Sequence, residues 1–100
     1  MYYVYPALFK PNPNGGYIVT VPDIKGCVTG GETLESSMKM IKDALNGCLC
    51  VLEDENIQPA LSTHPNSLEI NENDFVALIE ADTTKYRSEN SNKTEEFILS

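Results

Sequence analysis

The side chains in this sequence that could do chemistry are two pairs of acids and a few soft ligands. Glu32 and Glu35 lie three apart, and Glu80 and Asp82 lie two apart. Clustered carboxylates of this kind hold the two ions, about 4 Å apart, that cleave phosphodiesters. Residues 2–9 contain no Asp or Glu to join them. His64 is the single histidine, and Cys27, Cys48 and Cys50 are the three cysteines. A Cys–His nucleophile pair can be drawn from these, but His64 sits in the polar run Ser62-Thr63-His64-Pro65-Asn66, which suits a solvent-exposed loop. Cys48 and Cys50, two apart on an expected helix, point to different sides and cannot chelate one ion together. A zinc site needs three or four ligands at compatible spacing, which one His and three scattered Cys do not offer. Gly15-Gly16 and Gly30-Gly31 lack the Gly-Lys-Ser/Thr of a phosphate loop, and tight turns account for both. No catalytic residue, metal site or cofactor is expected.

The elements that must position these residues fit one domain of 100 residues. Residues 2–9, YYVYPALF, read as a strand. Pro6, which has no amide to donate, should sit at a bulge or where the neighbouring strand has not begun. The turn-rich Pro11–Gly16 leads into Tyr17–Val21, a β-branched second strand, so the pair reads as a hairpin. Pro22–Gly26 turns the chain, Cys27–Thr29 makes a short third strand at an edge, and Gly30-Gly31 closes it. Thr33 suits a helix N-cap, with Glu32 and Glu35 at the positive end of the dipole. The spacing of Leu34, Met38, Ile41, Leu45, Cys48 and Leu52, widened by Ala44 and Val51, predicts one amphipathic helix to about residue 55. Gly47 is expected to let that helix approach the sheet closely. Residues 57–73 read as loop, and 74–82 as the last strand, with Phe75, Ala77, Ile79 and Ala81 towards the helix. The fold class is therefore α+β in the order β-β-β-α-β. The fourth strand is expected parallel to the first, in one mixed sheet covered on one face by the helix. Thr83–Asn92 is polar and Phe97-Ile98-Leu99 is a short apolar run.

The formal charge is −8, from 15 acidic against 7 basic residues. It repels nucleic-acid phosphates and anionic lipid and attracts basic surfaces, although acidity also serves solubility alone. No 18-residue apolar run and no charged-then-apolar leader is visible, so a cytoplasmic protein that does not cross a membrane is expected.

Gly15-Gly16-Tyr17, Val21-Pro22-Asp23-Ile24-Lys25-Gly26-Cys27 and Thr29-Gly30-Gly31-Glu32-Thr33-Leu34-Glu35, together with Tyr5-Pro6-Ala7, Asp82 and Tyr86-Arg87, resemble the HicB antitoxin family over residues 1–90. The resemblance implies a partial RNase H-like N-terminal fold of the same element order. It implies a type II antitoxin whose partner is HicA, a small basic mRNA-cleaving toxin, occluded by the antitoxin's acidic surface. RNase H enzymes keep one carboxylate centrally on the first strand, and residues 2–9 hold none. Many HicB proteins continue into a DNA-binding module for which residues 87–100 leave no room, so direct DNA binding is not expected of this chain. The expected division is a toxin-neutralising domain over 1–86 and a polar tail or stub over 87–100.

Two surfaces are candidates for the partner. One is the uncovered sheet face, with Ile18, Thr20, Val76, Leu78, Glu80 and Asp82. The same face suits contact between copies in a homodimer or higher oligomer. The other is the Asp23 turn with Glu32 and Glu35 at the helix start, where turn geometry and dipole stabilisation are the competing account. Two further readings stay open: an orphan HicB-like binding or regulatory domain without a toxin, and a weak metal-dependent nuclease.

Overall fold

A computed structural model describes residues 1–90. Three strands, β1 (Tyr2–Pro11), β2 (Tyr17–Thr20) and β3 (Val28–Gly31), are followed by the helix α1 (Leu34–Asp54) and then β4 (Phe75–Asp82). A single turn of 3-10 helix, Pro65–Ser67, interrupts the long connection before β4. Residues 83–90 are helical. The boundary expected at residue 86 falls inside that segment, and the apolar Phe97-Ile98-Leu99 lies outside the described residues.

The sheet order is β3-β2-β1-β4, and every pairing is antiparallel. The parallel fourth strand and mixed sheet expected from the sequence are thus corrected. Gly31 leads into α1 beside the far end of β1, and α1 runs back so that Glu53 meets Tyr3 at β1's start. A short link from there would give a parallel strand. Instead residues 55–74 carry the chain back, and β4 starts opposite Phe9 and ends opposite Tyr2. Four bonds tie this return to β1 and the β2–β3 turn: Tyr5 Oη donates to the Ala60 carbonyl, Ser62 Oγ to the Val4 carbonyl, the Thr63 amide to Asp23 Oδ2 at 2.8 Å, and the Thr63 hydroxyl to Asp23 Oδ1. Pro6 pairs with Leu78 on one side, while β2 joins β1 only from Leu8 onward. Its missing amide falls where β2 has not begun.

The core lies between α1 and the sheet. Tyr5, Ala7 and Phe9 of β1 meet Val19, Ile79 and Ala81 below Ile41, Leu45 and Leu49 of α1. Phe9 stacks on Phe75 at 4.8 Å between ring centroids, with Tyr17 edge-on to both. Thr33 caps α1 as expected: its side chain accepts from the Ser36 amide at 3.0 Å, and Ser36 Oγ returns the bond to the Thr33 amide.

The buried stripe differs from the expected one in its first turns. Leu34 and Met38 are exposed, and Ser37 is fully buried in their place. The reason is a close approach at β3. A Cβ on Gly31 would lie 2.6 Å from Ser37 Oγ and 2.7 Å from its amide. Only a glycine and a small neighbour let backbone and helix meet there. Gly47, the position expected to make that approach, instead faces the Tyr86 hydroxyl, 3.7 Å from where its Cβ would be. Val51 is exposed, and Leu49 takes the core position.

The segment 83–90 is bound to α1 through Glu53. Its Oε2 accepts from Tyr3 Oη at 2.7 Å and from Thr83 Oγ1 at 2.8 Å. Arg87 Nη2 donates to Glu53 Oε1 at 3.2 Å and to the Cys50 carbonyl at 2.9 Å, and Nη1 pairs with Asp54 at 3.0 Å. Burial pushes the Glu53 carboxyl up, but the bonds from Tyr3, Thr83 and Arg87 and the Arg87 charge outweigh it and hold the group below its ordinary value. Burial, and then the bond to Glu53, push the Tyr3 phenol up to about 12.

Two stability predictions follow from these contacts. Gly31→Ala should destabilise by about 1–3 kcal/mol through overpacking, whereas Gly47→Ala should stabilise by up to about 1 kcal/mol through helix propensity; thermal melts followed by circular dichroism check the opposite signs. Glu53 contributes stability that is complete above its unfolded value, near 4.5, and is lost as pH falls through its lower folded value. Glu53→Gln should therefore cost about 1–2 kcal/mol at pH 7, and the difference from wild type should shrink as the pH falls below 4.5. A denaturant series across pH 3–7 measures it.

Candidate functional site

The acids singled out in the sequence separate when the chain folds. Glu35 is exposed at the start of α1 and pairs with Lys39, 3.6 Å away. Glu32 is exposed just before it. Asp23 is half-buried and engaged by the amide and hydroxyl of Thr63, so its carboxylate fastens the return segment to the β2–β3 turn. Glu80 and Asp82 stand at the end of β4 beside the start of β1, opposite Val4 and Tyr2. No acid on β1 faces them. Tyr2 Oη donates to Glu80 Oε1 at 2.6 Å, and Asp82 Oδ1 accepts from the Lys85 amide at 3.2 Å, which caps the segment 83–90. Among the described residues, no group of three or more His, Cys, Asp and Glu is placed to hold a metal ion.

The soft ligands are occupied structurally. His64 Nδ1 accepts from the Asn66 amide at 3.1 Å and caps the 3-10 turn. Cys27 is buried, with the Cys48 thiol beside it. Burial first, and then Cys48, push the Cys27 thiol up to about 12, so it stays protonated at neutral pH and is no nucleophile. Burial likewise pushes Cys50 up.

One face of the sheet lies under α1; the other is open only in part, because Pro6, which strand alternation puts there, is fully buried and the turn Pro65–Ser67 lies against β4. On the open face Ile18, Leu78 and Val28 are exposed, and Thr20 and Val76 are half-buried. Those residues share a face by strand alternation, but they spread from the β3 edge to the β4 edge. β4 is itself an edge, with no strand on its outer side among the described residues. Because Val4 turns its carbonyl away from β4 towards Ser62, the antiparallel pattern leaves the amides and carbonyls of Val76, Leu78 and Glu80 pointing outward. An open groove of about 540 Å³ runs along this edge, lined by Val4, Met38 and Leu78, with Lys39, Lys42 and Glu80 at its margins. A second cavity of about 300 Å³ adjoins it at Glu80 and Lys42. It is walled by Tyr2, Asp82, Tyr86 and Glu89, with Asn46 on its inner side. Sequence reading missed both Met38 and Asn46. Met38 was assigned to the core by its spacing. Asn46 carries no local signal beyond being a polar residue between Leu45 and Gly47.

A family model described as "HicB_like antitoxin of bacterial toxin-antitoxin system" matches residues 5–95. Antitoxin HicB of Escherichia coli K12 is 36% identical over 70 residues, covering 66% of this chain and 51% of that protein. An uncharacterised 14.9 kDa protein from the rep-hol intergenic region of Haemophilus phage HP1 is 33% identical over 76 residues, covering 71% of this chain and 56% of that one. The chain thus spans about half the length of the curated relatives it matches. Its fold is similar to the crystal structure of the N-terminal domain of Burkholderia pseudomallei antitoxin HicB, with a TM-score of 0.69 at 24% identity over 80% of this chain and 99% of that one. It is also similar to a chain of a toxin-antitoxin complex from Streptococcus pneumoniae, with a TM-score of 0.76 at 20% identity over 86% and 73% of the two chains.

The different engagement of the acids gives a direct test. Asp23→Ala should lose about 1–3 kcal/mol of stability, because two donors of Thr63 are left without their acceptor. Glu35→Ala should stay within about 0.5 kcal/mol, as exposed pairs do. Chemical denaturation of both variants measures the contrast.

Proposed function

The chain belongs to the HicB-like antitoxin family of bacterial toxin-antitoxin systems, and from that membership we propose that it is a type II antitoxin domain that neutralises a small basic HicA-like ribonuclease toxin by covering its working surface. The observation that supports this most directly is the groove along the free edge of β4. Apolar Val4, Met38 and Leu78 meet outward backbone groups and the carboxylate of Glu80 in one place. Apolar surface on an unpaired strand suits a partner that adds main-chain hydrogen bonds. The charge of −8 adds long-range attraction to a surface built for RNA phosphates.

The proposed action is non-catalytic and cytoplasmic and calls for no cofactor. On the described residues, no helix is long and apolar enough to cross a membrane. Masking a toxin asks nothing of a DNA-binding module, and an acidic domain repels DNA. β3 is the other edge of the sheet, with exposed Val28, and is the place where a second copy would pair in a homo-oligomer.

The reading requires a small basic toxin encoded beside this chain, and co-expression of the two should restore growth and give a co-purifying complex. Growth arrest with no complex would remove the reading. The double variant Glu80→Lys, Asp82→Lys should weaken the complex by at least about tenfold, or about 1.4 kcal/mol, and flatten its salt dependence. Calorimetric titration at two salt concentrations measures both, and unchanged affinity would take the toxin away from this edge.

A further inference from the structure

Asn46 is 5% exposed, and its Oδ1 is buried with no hydrogen-bond partner, while its Nδ2 donates to the Lys42 carbonyl at 3.0 Å. An acceptor left unpaired in the interior costs about 1–3 kcal/mol. Asn46 lies on the wall of the 300 Å³ cavity at the end of β4. That volume stands at the lower end of small-ligand sites, about 300–1,000 Å³.

The charged groups that line the cavity are mixed, with acids in excess. Glu80, Asp82 and Glu89 line the same cavity, and ionised carboxylates only accept. The phenol donors are already spent: Tyr2 Oη on Glu80, and Tyr86 Oη on Asp43. Glu80 Oε1 accepts from Tyr2 Oη and Asp82 Oδ1 from the Lys85 amide, leaving Glu80 Oε2 and Asp82 Oδ2 for something else. Lys42 and Lys85 reach the cavity too, so three carboxylates face two ammonium groups and one negative charge remains in excess. The complement is a group of several donors, no acceptor and one positive charge. An ammonium offers three donors from a point, and a guanidinium offers five in a plane. The acceptors here sit on separate elements, Asn46 on α1 and Glu80 and Asp82 on β4, with Tyr2 and Tyr86 as aromatic walls. A planar fork reaches such separated acceptors and packs against aromatic rings.

We propose that this cavity is a receptor for one arginine side chain of the cationic partner, with Asn46 Oδ1, Glu80 and Asp82 as its acceptors. The inference rests on the antitoxin reading for the identity of the partner, but the chemistry of the pocket does not. It places the strongest single contact of the complex at the junction of α1, β4 and the segment 83–90, one step beyond the apolar groove.

The test uses the full chain alone, labelled with ¹⁵N, and N-acetyl-arginine N-methylamide as the probe. Saturable shifts should appear at the Asn46 side-chain amide and at the backbone amides of Glu80 and Asp82. The citrulline analogue, which keeps the shape and lacks the charge, should produce none, and the lysine analogue should bind at least about fivefold more weakly. Asn46→Ala should lose at least about fivefold in probe affinity. Asp82→Asn should lose as much, and it serves if the first variant folds poorly. Equal, unsaturated shifts with arginine and lysine over the whole acidic surface overturn the proposal, and so does an Asn46 amide that never moves. A chain that binds the probe at Asn46 yet forms no complex with a basic toxin keeps the pocket and loses the antitoxin reading. A chain that forms the complex while its Asn46 stays silent keeps the antitoxin reading and loses the pocket.

Discussion

The route of the chain after α1 decides nearly everything else in this domain. The helix delivers the backbone to the end of the sheet where β1 begins, and β4 must start at the other end to pair as it does. Residues 55–74 make that journey, held by Asp23 and Thr63, by Ser62 on Val4 and by Ala60 under Tyr5. Because β4 then runs antiparallel to β1, its acidic end arrives beside Tyr2, and the chain leaves it directly under the last turns of α1. The Glu53 cluster follows from that arrival. A half-buried carboxylate is costly unless donors surround it, and Tyr3 supplies one from β1 while Thr83 and Arg87 supply others from the segment 83–90.

The proposed antitoxin function is, on this view, a matter of where the fold leaves polar groups unfinished. Among the described residues, other buried polar side chains are satisfied: Ser37 donates to the Thr33 carbonyl at 2.6 Å, and Thr83 bonds to Glu53. The unfinished groups gather on one side: outward amides and carbonyls of β4, exposed Leu78 and Met38, and the orphan oxygen of Asn46. A partner that satisfies all three kinds at once gains shape, main-chain pairing and charge together, which is a demanding combination for an unrelated protein to meet.

The sequence carried the local order well because local rules governed it. The Thr33 cap, the Pro11–Gly16 turn and the alternation from Phe75 to Ala81 each follow from neighbours a few residues apart, and all three stand in the structure. Strand direction was not legible, because it depends on how far a polar loop reaches and not on any period within it. The helix stripe was legible from Ile41 onward but not at Leu34 and Met38. There the close approach of Gly31 to Ser37 turns the helix so that a serine faces inward, a contact between positions that hydropathy cannot weigh. Of the candidate acids, Glu80 and Asp82 come together, while Asp23 serves the loop. Nothing in the spacing separates a carboxylate that clasps a hydroxyl from one that stays free.

The pairing of β1 with β4 has a consequence for how the domain is made. Tyr2 faces Asp82 and Phe9 faces Phe75 in the finished sheet, so during synthesis β1 waits for β4. At about 5–20 residues per second, the nascent hairpin spends on the order of seconds with one flank bare. Throughout that interval the aromatic rungs of β1 lack both their neighbour and the segment that seals Glu53. Vectorial synthesis therefore yields a late-closing domain, whose protection against proteases begins only when β4 emerges.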